Sequence, residues 1–434
     1  MTRPLLLTGG RVIDPSTDTD AELDVLVVDE RVMAVEQGIA GPDDAVRVSV
    51  EGLVVAPGLI DVHVHFREPG GEHKETIRTG AKAAAAGGFT TVWAMPNTDP
   101  PLDDPAAVGY VREEARRWAR NGEGGARVSP VGAASKGLAG EQMTEIGGLV
   151  EAGAVAVTDD GYPIADPLLM RRLLEYTQRF DIPVLQHAED MALTAAGVMN
   201  EGAVATELGL RGIPNVSEAA VVARDMFLAE LTGGHVHIQH ISTREAVGLI
   251  ARGRERGVRI TAEVTPHHIA LTEEAVRGYR TEAKMNPPLR TEEDRLAIRR
   301  GLIDGVIGII ATDHAPHHYE EKEREFDDAP FGIVGLETAL SVCITELVST
   351  GDLTLSQLID RMSCTPARTM GIDGGTLQPG SPADIVVIDP DVKWSVDPDQ
   401  FHSKSQNTPF VGKEVRGRVR WTIVAGEIRY EGEA

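Results

Sequence analysis

The feature that most constrains the fold is a regular alternation of two kinds of segment along the middle of the chain. Eight short β-rich apolar runs are each followed by sequence whose apolar residues recur every three or four positions. The runs occupy residues 58–65, 89–95, 127–133, 154–158, 182–185, 235–239, 258–264 and 306–311. Such alternation predicts parallel strands joined by right-handed helical crossovers. Eight units of this kind predict an α/β protein with a (β/α)8, TIM-like barrel.

The same alternation is also compatible with an open, doubly wound parallel sheet. That fold is expected to carry a glycine-rich phosphate-binding loop directly after its first strand. The residues that follow position 65 contain no such loop, so the barrel is the preferred prediction.

The two ends of the chain show a different pattern. Short alternating strands broken by Gly, Pro and Asp occupy residues 5–54, and the same style returns at 384–389 and 416–430. Neither end is long enough to close a good core alone, whereas the termini of a domain often lie close together. We therefore predict a small composite β-sandwich from residues 1–55 and 373–434, beside a barrel domain of residues 56–372.

Composition excludes several classes of protein. The chain has 434 residues and a formal net charge of −25, which argues against nucleic acid and anionic membranes as partners. No window reaches 18 uncharged apolar residues, so we expect no membrane span. The only two cysteines, Cys343 and Cys364, cannot form a disulfide framework. They are typical of a reducing compartment, and we expect a cytoplasmic protein.

Side chains suited to metal binding occur where the predicted strands end, which is where barrel enzymes place their reactive groups. They are His63 and His65 on the first strand, Asp159 and Asp160 on the fourth, His187 on the fifth, His240 on the sixth and Asp313 on the eighth. Each alone has an ordinary explanation as a turn residue, a core histidine or a helix cap. Together they predict a metal centre at one end of the barrel.

The number of these residues indicates two metal ions. Six ligands are too many for one tetrahedral zinc ion with an open position, but they suit two ions that share a bridge. Such a centre lowers the pKa of a bound water to about 7 and polarises a carbonyl, and both effects serve amide hydrolysis. Composition does not decide whether Asp159 or Asp160 is the bridge.

Other histidines near these strand ends are expected to have different roles. His235 and His237 have the opposite parity to His240, so if His240 faces the barrel axis they pack outward against helices. His267 and His268 either orient the ligands or pack within a loop, and packing is the preferred interpretation.

Short motifs distributed over almost the whole chain form one specific set. They are PGLID at 57–61, HVHFREPG at 63–70, AMPNT at 94–98, TDDG at 158–161, HIST at 240–243, EVTPHH at 263–268, MNPPLR at 285–290, ATDHAPH at 311–317, PFG at 330–332 and SKSQNTPF at 403–410. In this order they resemble the dihydroorotases, within the amidohydrolase superfamily. The resemblance implies the reversible cyclisation of N-carbamoyl-L-aspartate to (S)-dihydroorotate in pyrimidine (UMP) biosynthesis.

The resemblance also implies a cofactor and its ligands. Two Zn²⁺ ions per chain are implied, bound by His63, His65, Asp160, His187, His240 and Asp313. Many relatives bridge their metals with a carboxylated lysine, but this sequence has no lysine from residue 137 to 283. The chain is most similar to the bacterial subgroup in which an aspartate replaces that lysine, which implies that Asp160 bridges and Asp159 is its neighbour.

Substrate contacts follow from the same resemblance and from charge. A planar guanidinium recognises a carboxylate best, which favours Arg67 as the residue that binds the substrate carboxylate. The implied substrate-binding residues are His65, Arg67, Asn97 and His317, together with Asn286, Phe331 and Gly332 near the pyrimidine ring. Asp313 is the implied catalytic acid and base. The acidic stretch 320–328 has few apolar anchors and is either a mobile lid or a solvated loop.

Two other functions are alternatives. Allantoinases, hydantoinases and dihydropyrimidinases share the fold and the His-x-His pair, but they normally use the carboxylated lysine that is missing here. A non-catalytic scaffold for aspartate transcarbamoylase is the second alternative, although such relatives lose ligands that this chain keeps. The expected partners are the small-molecule substrate, a second copy of the chain in a homodimer, and aspartate transcarbamoylase.

Overall fold

The computed structural model describes residues 3–432 and consists of a barrel and a sheet built from both ends of the chain. The strands are β1 Leu5–Asp14, β2 Thr19–Val28, β3 Arg31–Glu36, β4 Val46–Ser49, β5 Val54–Pro57, β6 Leu59–Val64, β7 Phe89–Ala94, β8 Arg127–Pro130, β9 Gly132–Ala133, β10 Val157–Thr158, β11 Val184–Gln186, β12 Met199–Asn200, β13 Gly212–Ile213, β14 Val236–Ile238, β15 Ile260–Val264, β16 Ile309–Ile310, β17 Ile385–Ser395, β18 Glu414–Val424 and β19 Glu427–Glu431.

The α-helices lie mostly between the barrel strands. They are α1 Ile77–Ala86, α2 Pro105–Arg120, α3 Ile146–Ala152, α4 Pro167–Thr177, α5 Met191–Thr194, α6 Ala203–Leu208, α7 Asn215–Thr232, α8 Arg244–Glu255, α9 Pro266–Ala270, α10 Glu292–Ile303, α11 Tyr319–Lys322, α12 Ala339–Cys343, α13 Leu355–Ile359 and α14 Thr365–Met370. Helices α12 and α13 continue as π-helical turns at Ile344–Val348 and Asp360–Cys364. Short 3₁₀ turns occur at Pro15–Thr17, Lys136–Leu138, Gln178–Phe180, Glu273–Val276, Thr281–Ala283 and Pro398–Gln400.

The eight predicted runs form the parallel strands of the barrel. One sheet pairs β6, β7 and β8, and a second pairs β9, β10, β11, β14, β15 and β16 in that order. Strands β8 and β9 are two parts of the third barrel strand, on either side of Val131, whose N–H donates to the carbonyl of Ala94 at 2.9 Å. The predicted strand–helix alternation is therefore confirmed.

Caps that can be read from the sequence fix where the crossover helices begin. The Asp104 carboxylate accepts hydrogen bonds from the first turn of α2, and Asp166 does the same for α4. Each of these caps is followed by a proline at the first helical position, where its missing N–H costs nothing. At the start of α10, the Thr291 hydroxyl accepts from the N–H of Asp294.

The first and eighth barrel strands are joined mainly by one buried side chain. A single parallel bridge pairs Val64 with His314, outside the strand ladders. The carboxylate of Asp61 accepts the N–H and hydroxyl of Thr312 and the N–H of His63. Burial raises the pKa of Asp61 to about 7, against the opposing effect of these hydrogen bonds. Asp61 thus makes the cross-strand bonds that a longer β16 would otherwise supply.

Both ends of the chain combine into one eight-stranded sheet, which confirms the composite origin of the small part. The order is β19-β18-β17-β5-β1-β2-β3, with β4 added beside β1. The sheet folds back on itself, because the N–H of Val32 on β3 donates to the carbonyl of Ser381, just before β17. Its interior contains Leu7, Val55 and Ile423. The boundaries 1–55, 56–372 and 373–434 stay a prediction, and residues 1–2 and 433–434 lie outside the described residues.

Two smaller expectations concern the chain as a whole. Between residues 3 and 432, no helix has the length and apolarity needed to cross a membrane. Cys343 and Cys364 are both free and buried.

We expect Asp61→Ala to lower the free energy of unfolding by about 3 kcal/mol or more, because it leaves several buried donors without a partner. Urea denaturation followed by circular dichroism measures the change. The control is Asp20→Ala, which removes an exposed pair with Arg11 and should cost about 1 kcal/mol or less. Equal losses in the two variants would contradict the role given to Asp61 in closing the barrel.

Candidate metal centre

Six buried side chains from five barrel strands meet at the carboxyl end of the barrel. They are His63 in β6, His65 just after it, Asp160 after β10, His187 after β11, His240 after β14 and Asp313 after β16. Their nitrogen and oxygen atoms form three overlapping triads, and within each triad the donor atoms lie within 4.8 Å of one another. The structure brings together the complete set of residues predicted to bind metal.

Asp160 lies at the centre of the cluster and faces two pairs of imidazoles. Its Oδ2 is 3.3 Å from Nε2 of both His63 and His65. Its Oδ1 is 3.1 Å from Nδ1 of His187 and 3.5 Å from Nε2 of His240. A carboxylate that presents one oxygen to each pair has the arrangement needed to bridge two cations.

Asp159, the neighbouring acid, is turned away from the imidazoles. Its Oδ1 accepts the N–H of Ser135 at 2.8 Å, and its Oδ2 accepts the Ser135 hydroxyl at 2.5 Å. Both carboxylate oxygens are therefore occupied on the side of β9. Of the two acids that composition could not separate, only Asp160 reaches the histidines.

Asp313 approaches the His63–His65 pair from the eighth strand. Its Oδ1 is 3.0 Å from Nε2 of His65 and 3.5 Å from Nε2 of His63. Asp313 and His240 both have positive φ angles, 47° and 34°. Non-glycine residues rarely adopt this conformation, and it persists where the surroundings hold it. Backbone strain is thus concentrated at two positions of the cluster.

Three of the histidines are held by a partner on their far ring nitrogen. Nδ1 of His63 lies 2.6 Å from Oε1 of Glu263, and Nδ1 of His65 lies 2.8 Å from Oδ1 of Asn97. Nε2 of His187 lies 3.0 Å from a carboxylate oxygen of Glu189. Such partners fix the ring orientation and leave the other nitrogen facing the centre.

Glu263 and Glu189 were missed as functional residues by the sequence analysis. The signal for Glu263 was its place at the start of the EVTPHH motif, near the end of the seventh strand. The signal for Glu189 was its position two residues after His187. Neither residue faces the centre as a ligand from a strand end, which is why the strand-end pattern does not reveal them.

The prediction that His235 and His237 pack outward is wrong. Nε2 of His237 lies 3.0 Å from Oε2 of Glu263, and its Nδ1 lies 2.8 Å from the hydroxyl of Thr261. His235 contacts the same hydroxyl at 2.8 Å. Since Glu263 also contacts His63, this face of β14 and β15 points to the barrel axis. Strand β14 ends at Ile238 and His240 has a positive φ angle, so the alternation of side chains along the strand does not extend to His240.

His267 and His268 are buried beside the seventh strand. His268 lies 2.7 Å from the Thr265 hydroxyl and 3.0 Å from the carbonyl of Pro287. Burial lowers the pKa of both imidazoles, so they are neutral. Both residues lie in the short helix α9 and not in a loop, and the interpretation of them as packing residues stays a prediction.

The electrostatics of the cluster suit a cation. Burial alone would raise the pKa values of Asp160 and Asp313, but the neighbouring imidazoles, His63 foremost, bring both below their usual range. Burial would also raise the pKa of Glu263, but His63 and His237 lower it to about 2. Ionised carboxylates are therefore buried together at neutral pH, which requires compensating positive charge.

The donor set also fits a divalent metal. Nε2 of His240 lies 3.0 Å from Nδ1 of His187, so two ring nitrogens point at one small volume beside Asp160. Imidazole nitrogens and carboxylate oxygens in such an arrangement are the ligands that zinc-like ions prefer. The residues present fit a divalent metal centre.

A cavity of about 330 Å³ opens over the cluster. It is lined by the residues predicted to bind substrate, His65, Arg67, Asn97, Asn286, His317 and Phe331. Gly332, the next residue after Phe331, lies against His317 and has a φ of 152°. A Cβ there would lie 2.6 Å from the carbonyl oxygen of Ala315, so the position requires glycine.

Arg67 carries an unpaired charge at this cavity. Its Nε donates to the carbonyl of Pro316 at 3.2 Å, and no carboxylate of residues 3–432 lies within ion-pair distance of its guanidinium. Burial lowers its pKa to about 10, so it stays charged at neutral pH. A half-buried guanidinium with free donors is suited to bind an anionic group of a ligand.

Comparison with known proteins identifies the family. The dihydro-orotase-like family profile matches residues 52–246, and that of the amidohydrolase family matches residues 345–430. The dihydroorotase of Geobacter metallireducens is 52% identical over 427 residues, covering 98% of this chain and 99% of the relative. That of Syntrophotalea carbinolica is 51% identical over 426 residues, with the same coverage. The chain belongs to the dihydroorotase family. As a dihydroorotase-family member it is a metal-dependent cyclic amidohydrolase, which confirms the predicted enzyme class.

Solved structures confirm the fold. The L-hydantoinase (dihydropyrimidinase) from Arthrobacter aurescens superposes with a TM-score of 0.87 at 26% identity, covering 100% of this chain and 97% of that one. The dihydropyrimidinase from Brevibacillus agri NCHU1002 gives a TM-score of 0.84 at 24% identity, covering 98% and 94%. The dihydroorotase family thus shares its barrel architecture with these enzymes, while sequence identity is about twice as high to the dihydroorotases.

We expect Asp160→Asn to lose about half or more of the bound divalent metal, because a neutral amide replaces the carboxylate that faces both histidine pairs. Mass spectrometry of the purified protein measures metal per chain. The matched control is Asp159→Asn, which alters the adjacent acid and should keep its metal. Equal metal content in the two variants would contradict the central position given to Asp160.

Proposed function

We propose that the chain is a dihydroorotase, which interconverts N-carbamoyl-L-aspartate and (S)-dihydroorotate in pyrimidine biosynthesis. The observation that carries this proposal is the unpaired guanidinium of Arg67 at the cavity above the metal cluster. Dihydroorotate combines a ring amide with a carboxylate, and the cavity offers a group for each. The relatives at about half identity, which are named dihydroorotases, support the same substrate.

We propose two Zn²⁺ ions per chain as the cofactor. His63, His65, His187, His240 and Asp313 would hold them, and Asp160 would reach both. When bound, the ions supply a water acidic enough to act as a nucleophile at neutral pH and polarise the amide carbonyl.

The substrate carboxylate would bind at the rim formed by Arg67, Asn97 and His317. The Asn97 oxygen is occupied by His65, which leaves its amide N–H groups free to donate among the described contacts. His65 thereby belongs to both the metal set and the substrate set. The guanidinium of Arg67 lies 3.5 Å from Nε2 of His317, so both can approach one anionic group.

The pyrimidine ring would lie against Asn286 and the backbone of Phe331 and Gly332. The Asn286 amide donates to Glu189 at 3.0 Å, and its oxygen has no partner within residues 3–432. That oxygen can accept a ring N–H. Backbone groups at Phe331 and Gly332 can complete the recognition of the ring.

Asp313 would move the proton. Its low pKa keeps it ionised in the resting site, so it can accept a proton from the attacking water during hydrolysis. The C–N bond of the ring amide then breaks, and Asp313 returns the proton to the departing nitrogen. In the biosynthetic direction Asp313 removes a proton from the carbamoyl nitrogen, which attacks the side-chain carboxyl. A C–O bond of that carboxyl then breaks, and Asp313 gives its proton to the departing hydroxide, which leaves as water.

Location and partners complete the proposal. Two free, buried cysteines suit the cytoplasm. A homodimer and a complex with aspartate transcarbamoylase stay predictions. The alternative of a non-catalytic scaffold is disfavoured by a complete ligand set, and a hydantoinase-type activity by Arg67.

We expect wild-type enzyme to act on dihydroorotate in preference to dihydrouracil and allantoin, which lack its carboxylate. Arg67→Gln should reduce kcat/KM for dihydroorotate by about 100-fold, because a charge-assisted pair is lost. The slow turnover of dihydrouracil should change little, which provides an internal control. A wild-type preference for dihydrouracil or allantoin would refute the proposed substrate.

We expect Asp313→Asn to lower kcat by roughly 10²–10⁴-fold, the range for removal of a general acid–base group. The variant should keep at least one metal ion per chain, measured on the same sample. Turnover comparable to wild type would refute the acid–base role of Asp313.

A further inference from the structure

A short segment, residues 326–332, contributes to the wall of the cavity, and we name it the rim segment. Pro330 and Phe331 of this segment line the cavity. Its first three residues, 326–328, are the end of the acidic stretch 320–328, for which a mobile lid and a solvated loop were the two interpretations. The structure shows anchors there instead, because Phe326 and Ala329 are buried.

Lys322 holds the C-terminal end of the rim segment. Its Nζ donates to the carbonyls of Pro330 at 2.9 Å and Gly332 at 3.1 Å. The residue is only 4% exposed, and no carboxylate in the described part of the chain pairs with it. The ammonium is thus committed to backbone carbonyls of the rim segment.

Lys284 holds the other end of the rim segment. Its Nζ donates to the carbonyls of Phe326 at 2.6 Å and Asp327 at 3.0 Å, and lies 4.7 Å from the centre of the Phe331 ring. Its own carbonyl accepts the N–H of Gly332 at 3.0 Å. Because Lys284 precedes the pocket residues Met285 and Asn286, it joins two walls of the cavity.

Asn407 joins the rim segment to a third wall. Its Oδ1 accepts the N–H of His317 at 3.1 Å. Its Nδ2 donates to the carbonyls of Ala315 and Gly332, each at 3.0 Å. Asn407 belongs to the SKSQNTPF motif between β17 and β18, which the proposed catalytic set does not use. It connects His317 with Gly332 through one buried side chain.

The chemistry of these contacts is costly for a purely structural role. Burial lowers the pKa of Lys284 to about 8 and that of Lys322 to about 7, opposed by nearby carboxylates. Burying an ammonium without a paired carboxylate carries a desolvation penalty, and apolar side chains of similar size often stabilise a core as well or better. Their polar heads do, however, fix carbonyl positions that an apolar side chain cannot fix.

We propose that three residues, Lys284, Lys322 and Asn407, form a rim clamp that holds the substrate-binding wall of the cavity in place. They are positioning residues, because they act through Phe331, Gly332 and His317 and do not face the metal cluster. The proposal rests on the proposed function for the identity of the substrate. Its consequence is that the rim clamp sets substrate affinity without taking part in bond making.

The first test is Lys322→Met, which keeps the length of the side chain and removes both hydrogen bonds. KM for dihydroorotate should rise about 10-fold or more, while kcat changes by less than about 3-fold. The reason is that the lost contacts stabilise the bound substrate and the transition state equally. Metal content should equal that of wild type. The control is Lys393→Met, because Lys393 is an exposed lysine that pairs with Glu414 in the terminal sheet.

The second variant is Asn407→Asp. It keeps an oxygen for the N–H of His317 but places a carboxylate oxygen against the carbonyls of Ala315 and Gly332. We expect the same rise in KM with little change in kcat. Hydrogen–deuterium exchange without substrate should show faster exchange of peptides covering residues 326–334 in both variants, with the rest of the barrel unchanged.

The outcomes separate the clamp from the proposed function. An unchanged KM in both variants would overturn the rim clamp, as would equal losses of kcat and metal content. Unchanged exchange at residues 326–334 would overturn it as well. If wild-type enzyme does not act on dihydroorotate, the proposed function fails, and the exchange measurement still decides whether these residues hold the rim segment.

Discussion

The contact on which the rest of the structure depends is that of Asp160 with two pairs of imidazoles, one pair at each carboxylate oxygen. Four strands of the barrel must end in register for this to occur. The far nitrogens of three histidines are held by Glu263, Asn97 and Glu189. A buried carboxylate so placed is stable only with positive charge beside it. These groups are kept in place by the barrel, by the hydrogen bonds of Asp61 between its first and eighth strands, and by the partners on the far ring nitrogens.

Much of this arrangement follows from local rules that a sequence displays. The eight strands were predicted because short apolar runs alternate with helical patterns, and the ligands because reactive groups in barrels lie at strand ends. What could not be predicted depends on contacts distant in sequence. The choice between Asp159 and Asp160 depends on Ser135, which occupies Asp159. His237 and His240 both face inward because the positive φ angle of His240 breaks the alternation of side chains, which the sequence pattern does not reveal.

The terminal segments also make a contact that their sequence pattern does not predict. Their composite sheet was predictable, because neither end alone could bury its apolar strands. Nothing in their pattern indicated that Asn407 would reach across to His317 and Gly332. By sequence Asn407 belongs to the terminal segments, but its side chain contacts residues of the barrel part. The small sheet part therefore contributes to the cavity as well as to the packing of the barrel.

The fold alone leaves the substrate undecided, because a hydantoinase shares it with a TM-score of 0.87. The distinction must come from side chains at the cavity and at the centre of the histidine cluster. Arg67 supplies a charge that only a substrate with an anionic group can use fully. Asp160 occupies the central position of that cluster, and the sequence has no lysine from residue 137 to 283. A lysine must first react with carbon dioxide to become a bridging carboxylate, whereas an aspartate already carries its carboxylate. The proposed centre can therefore form from residues of the folded chain without a prior carboxylation step.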